Sequence, residues 1–130
     1  MKRLSALALV AVTAACGGAR AAQLPARCHV GVYFRANATR AQVEAVRRRL
    51  ERDRRVARVV FVSKAEAFRI MKRRHPELMQ TLKTNPFPDA LLVHPRTRDD
   101  YVPIVRSLLP QAAGVQTVHY PRFGPCVARR

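Results

Sequence analysis

The sequence predicts an α+β domain, a four-stranded sheet of split β-α-β type with a small helical lobe inserted between the second and third strands. Three observations predict it. Four short apolar stretches carry the two-residue alternation or the β-branched composition of strands. The segments between them place apolar residues at helical spacing behind Ser or Thr caps. Two cysteines, Cys28 and Cys126, bracket the whole pattern.

The elements follow in order. His29 to Phe34 (HVGVYF) alternates, with Val30, Val32 and Phe34 on one face. Thr39 and Gln42 form a T-x-x-Q capping box. The helix behind it carries Val43, Val46 and Leu50 on one stripe and Arg47, Arg48, Arg49, Glu51 and Arg52 elsewhere. Val56 to Val62 (VARVVFV) is the second strand. Ser63 and Glu66 repeat the capping box and open a helix with Ala67, Phe68, Ile70 and Met71. Pro76 starts a shorter helix with Leu78, Met79 and Leu82. Asn85-Pro86-Phe87-Pro88 must break it. Ala90 to His94 is the third strand. A helix from about Asp99 to Leu109 lines up Tyr101, Val105 and Leu108, and Pro103 requires its start near Asp99 or Asp100. Gly114 ends the link, and Val115 to Tyr120 is the last strand. Without the middle helix pair this order is that of ferredoxin-like folds, in which the first strand lies antiparallel beside the last. Cys28 and Cys126 then meet at one end of the sheet.

The N-terminus reads as an export signal over residues 1–15. Lys2 and Arg3 precede an apolar run from Leu4 to Ala15, too short to span a bilayer. Thr13-Ala14-Ala15-Cys16 resembles a bacterial lipobox with Cys16 as the lipidated residue, Thr13 standing where an aliphatic is usual. Plain secretion or periplasmic release is the alternative to a lipid anchor on the outer face of the cytoplasmic membrane. Residues 16–27 form a tether, residues 28–126 the domain with its insert at about 63–88, and residues 127–130 a tail. If Cys16 takes the lipid, Cys28 and Cys126 remain as an even pair in an oxidising compartment, which predicts a disulfide.

The chain of 130 residues has 25 Lys+Arg against 8 Asp+Glu, a net charge of +17. Cutting before Cys16 removes Lys2 and Arg3 and leaves +15. Export turns this charge away from nucleic acid and towards anionic lipid or wall polymer, or towards a solvated surface.

The middle segment carries a resemblance. Val59-Val60-Phe61-Val62-Ser63-Lys64-Ala65-Glu66-Ala67-Phe68, then Pro76-Glu77, then Leu82-Lys83-Thr84-Asn85-Pro86-Phe87-Pro88-Asp89-Ala90 resemble the extracellular domain of FtsX, the membrane half of the bacterial FtsEX division complex. Gly114-Val115-Gln116-Thr117-Val118 resembles that family's closing strand, so the likeness runs from about Val30 to Tyr120. It implies a two-lobed docking platform that recruits peptidoglycan hydrolases. Family members cross the membrane four times and couple to the ATPase FtsE. No apolar stretch of spanning length follows Tyr120, so the expectation is a platform without the transducer. The two cysteines are no part of the family pattern.

Three groups of residues are candidates for function. In the insert, Phe68, Met71, Met79, Leu82 and Phe87 are expected to bind a protein partner, a hydrolase or another division protein, by packing on an apolar helix. Met79 and Phe87 are expected at the surface, the others partly in the lobe's core. On the basic helix and the turn after it, Arg47, Arg48, Arg52 and Arg55 offer the alternative, an anionic lipid or wall-polymer surface. His29, His94 and His119 fall on neighbouring strands without an accompanying carboxylate, so no metal is expected. Enzyme readings are poor. Ser63 is a helix cap, the cysteines pair with each other, Asp99 and Asp100 begin a helix, and no Gly-rich loop exists. No catalytic residue, cofactor or nucleic-acid partner is expected.

Overall fold

The computed structural model describes residues 28–121 and Cys126. The export signal, Cys16, the tether and the tail lie outside the described residues. Within them the order is β1 (Val30–Phe34), α1 (Arg40–Glu51), β2 (Val56–Val62), α2 (Lys64–Arg74), α3 (Pro76–Gln80), β3 (Ala90–Pro95), α4 (Arg98–Ser107) and β4 (Val115–His119). The strands form one antiparallel sheet in the order β2-β3-β1-β4. The first and last strands are therefore neighbours, as the split β-α-β reading requires.

Period-two alternation sets the two faces of the sheet. Val30, Val32 and Phe34 on β1 pair with or lie beside Leu91 and Val93 on β3. All five are buried, together with Val43, Val46 and Leu50 of α1 and Tyr101, Ile104 and Val105 of α4. So α1 and α4 cover one face. Nothing from α2 or α3 joins that core. The inserted helices form a separate lobe.

The caps explain where the helices begin. Thr39 Oγ1 accepts from Gln42 N at 3.2 Å, and Gln42 Oε1 accepts from Thr39 N at 2.9 Å, the reciprocal box expected for α1. Only half of the second box forms. Ser63 Oγ accepts from Glu66 N at 3.2 Å, but the Glu66 carboxylate pairs with Arg69 instead of turning back. Asp89 Oδ1 takes Lys64 N at 2.8 Å, tying the far end of the insert to the start of α2. The last helix begins one residue earlier than expected. Thr97 and Asp100 make a reciprocal box, so Asp100 is a capping partner as well as a favourable charge at a helix start. Pro103 thus lies in the second turn, where it cannot donate to the Asp99 carbonyl.

Cys28 and Cys126 are joined, with Cα atoms 5.2 Å apart, and both are buried in the main core. The bond spans a sequence separation of 98 residues. In the chain-entropy account, closing a loop of that size restricts the unfolded chain by about 4–5 kcal/mol. The structure also sorts the molecule into two ends. Phe34 N donates to Asp89 O at 3.0 Å and Arg35 N to Gly114 O at 2.8 Å, so the insert, the β1–α1 loop and the α4–β4 loop share one end. Val56 pairs with Pro95 at the opposite end, level with Cys28. The inserted lobe and the disulfide are at opposite ends of the sheet.

Candidate functional site

The inserted lobe is built by a short-range logic. Pro76 has no N–H to leave unsatisfied, so it can open α3 directly behind His75. The Asn85 side chain closes the lobe. Its Nδ2 donates to Lys64 O at 2.8 Å and its Oδ1 accepts from Phe87 N at 2.9 Å. These bonds hold the Pro-Phe-Pro segment against the start of α2. The Phe87 ring meets the Phe68 ring edge-on, with centroids 6.4 Å apart.

Met79 is the correction here. It is 5% exposed, the one insert residue outside β2 and β3 to be fully buried, and so the centre of the lobe's own small core. Its neighbour Leu78 is 61% exposed, and Leu82, just past the C-cap Thr81, is 38% exposed. A five-residue helix is too short for periodicity to say which of two adjacent apolar residues turns inward. Phe68, Met71 and Phe87 are half-buried, so Phe87 is packed against Phe68 instead of standing free. Leu82 is the one expected binding residue that stands clearly at the surface.

Sequence reasoning passed over Phe61. It pairs with buried Leu91, on the helix-covered face, yet is 44% exposed because β2 is an edge strand. The edge position was legible only through the strand order. The end of the sheet that bears the insert also holds a polar hollow of about 440 Å³ lined by Arg35, Asn37, Gln42, Gln111 and Gly114. A smaller apolar one, about 280 Å³, lies along α4 between Tyr101, Val102, Leu109, Tyr120 and Pro121. Tyr101 donates its hydroxyl to Pro121 O at 3.2 Å, and burial pushes its pKa up to about 12.

The expected anionic-surface residues divide in two. Arg47 is held by Glu51 at 2.9 Å and Glu44 at 3.8 Å. Arg55 grips Asp53 through Nε at 2.9 Å and Nη2 at 2.7 Å. That bidentate contact holds the Asp53 carboxyl below the usual carboxylate range. Arg48 and Arg52 are exposed and form no ion pair among the described residues.

His29, His94 and His119 lie on the uncovered face of the sheet. The His29 and His94 rings are 5.7 Å apart, and His119 pairs with Gly31 on the same face. Burial, then the charges of Arg58 and His29, push the His94 pKa down. Among the described residues no group of three His, Cys, Asp or Glu side chains is placed to hold a metal, and no helix is long and apolar enough to cross a membrane.

No curated protein matches the chain. Two solved structures share the fold. One is the crystal structure of extracellular domain 1 of FtsX from S. pneumoniae in complex with undecyl-maltoside. It superposes with a TM-score of 0.60 at 20% identity, over 75% of this chain and 97% of that one. The other is the solution structure of the large extracellular loop of FtsX in Streptococcus pneumoniae, with a TM-score of 0.60 at 21% identity, over 72% and 99%. The sequence model of the FtsX extracellular domain matches residues 27–122, most of the chain, and the chain belongs to that family.

Proposed function

We propose that this chain is an exported, non-enzymatic docking domain of the cell-division machinery, binding a peptidoglycan hydrolase or another division protein through its inserted lobe. The observation that carries the reading is the exposure of Leu78 and Leu82, four residues apart on the lobe opposite the disulfide. Leu78 on α3 and Leu82 just past its C-cap are two exposed aliphatic side chains close in sequence, which suit an apolar face of a partner helix. Half-buried Phe68, Met71 and Phe87 give the same lobe an adaptable apolar body. The pneumococcal domain was crystallised in complex with undecyl-maltoside, a molecule with an apolar chain, and the likeness supports an apolar grip here. Lipidation of Cys16 would hold the domain at the outer face of the cytoplasmic membrane.

The test is photo-crosslinking in the cell from probes at Leu78 and Leu82, with a control at Arg48. A division protein or peptidoglycan hydrolase captured from the lobe and not from Arg48 is the expected result. Capture of the same proteins from all three positions, or of none from the lobe, sinks the reading. Apolar docking should also survive high salt, which a charge-driven contact would not.

A further inference from the structure

We infer that the end of the domain opposite the inserted lobe is a lipid-facing surface, built for a bilayer carrying anionic headgroups. Its cations come from three separate segments. Arg48 is in the last turn of α1, Arg52 caps that helix, Arg54 follows in the turn before β2, and Arg98 opens α4. The backbone holds these segments together. Arg96 donates its N–H to Arg55 O at 2.8 Å and its Nε to Arg54 O at 2.8 Å.

The local acids are already engaged. Asp53 is held by Arg55, Glu51 by Arg47, and Asp100 closes the capping box with Thr97. Asp99 is the one left, against exposed Arg48, Arg52, Arg54 and Arg98, none of which forms an ion pair among the described residues. Folding accounts for only part of this arrangement. Cations favour a helix C-terminus, which explains Arg48 and Arg52. Arg98 stands at a helix N-terminus, where the dipole opposes a cation, and Arg54 lies in no helix. By contrast Lys72, Arg73 and Arg74 of the insert all sit at the C-terminus of α2, where the dipole accounts for them.

Position chooses the partner. Val56, Pro95 and Cys28 lie level across β2, β3 and β1, about 10 Å from first to last by strand spacing. Cys28 is where the expected tether of residues 16–27, headed by Cys16, joins the domain. A lipid on Cys16 would bring a cationic surface at that end close to the membrane. The inference is independent of which partner the lobe holds.

Residues 27–130 contain the whole core and the disulfide, and the pneumococcal loop of this fold has a structure in solution by itself. Sedimentation of that segment with vesicles of phosphatidylcholine, alone or mixed with phosphatidylglycerol, is the experiment. Binding should require phosphatidylglycerol and weaken with salt. The variant Arg48→Glu/Arg52→Glu/Arg54→Glu/Arg98→Glu should lose on the order of a hundredfold or more in partitioning, since each basic residue near an anionic surface contributes about fivefold. Thermal melting of the variant checks that it is folded. Reversing Lys72, Arg73 and Arg74 should leave partitioning nearly unchanged. The inference is overturned by binding that ignores phosphatidylglycerol, by equal loss from the two variants, or by binding to soluble polyphosphate without binding to vesicles.

Discussion

Replacing Met79 by Ala should loosen the inserted lobe while leaving the main sheet intact. Met79 is 5% exposed and lies outside the core formed by β1, β3, α1 and α4. Truncating a buried Met costs roughly 2–5 kcal/mol, the transfer of its lost atoms plus the cavity they leave. A small lobe with half-buried Phe68, Met71 and Phe87 around its centre can collapse in part, which places the cost near 2–3 kcal/mol, at the low end of that range. Few such lobes can spare that much, and the lobe has no side chain in the main core to transmit it. Hydrogen exchange followed by peptide mass analysis should show protection lost over α2 and α3 and retained over β1 and β3. Leu78→Ala is the paired control. Its side chain is 61% exposed, so stability should move within about 0.5 kcal/mol while partner capture falls. Unchanged exchange in α2 and α3 of the Met79 variant would refute the separate-core argument. Equal loss of protection in the lobe and in β1 would refute it too, by making the two cores one.

Two further outcomes follow from the geometry. Gly114 has φ +85°, and a Cβ there would approach Gln42 Oε1 to 2.7 Å, so Gly114→Ala should strain the turn and break the box that caps α1. A loss of roughly 1–3 kcal/mol in denaturant unfolding is expected, and a melt equal to wild type would contradict it. Stability should also fall as pH drops below the ordinary histidine value. The folded pKa of His94 is depressed, so the neutral form is favoured in the fold. Its contribution is complete above the unfolded value near 6.5 and is lost as pH falls through the folded value. His94→Gln should flatten that part of the stability curve below the ordinary histidine value, and a variant with the wild-type slope would remove His94 as its source.

The main sheet was legible because its signals are redundant. Val30, Val32 and Phe34 alternate over a full strand, Thr39 and Gln42 cap the next helix, and the two cysteines agree with the strand order. Each of these is long enough, or repeated enough, for a period to be read. The candidate site was less legible for the opposite reason. α3 has five residues, and the choice between Leu78 and Met79 depends on how the helix is rotated against α2, which sequence spacing over so short a run does not encode. Phe61 was hidden by its strand-like surroundings. Its exposure depends on β2 being an edge, a property of the whole topology and not of the segment.

The arginines were misleading in a more instructive way. On a helical projection Arg47 and Arg48 look equivalent, yet Glu44 and Glu51 engage the first and leave the second exposed. A charge becomes available to a partner only after the acids within reach have been assigned, and here they are near in sequence, Glu44 and Glu51 on the same helix for Arg47 and Asp53 for Arg55. That accounting leaves Arg48, Arg52, Arg54 and Arg98 without an ion pair among the described residues, together at the end that carries Cys28, besides Arg35 and Arg40 at the other end. The exposed leucines fall at the other end. The two surfaces are then separated by the length of the sheet, so one can bind without burying the other. Salt should weaken the first contact and spare the second, which makes the two separable within a single titration.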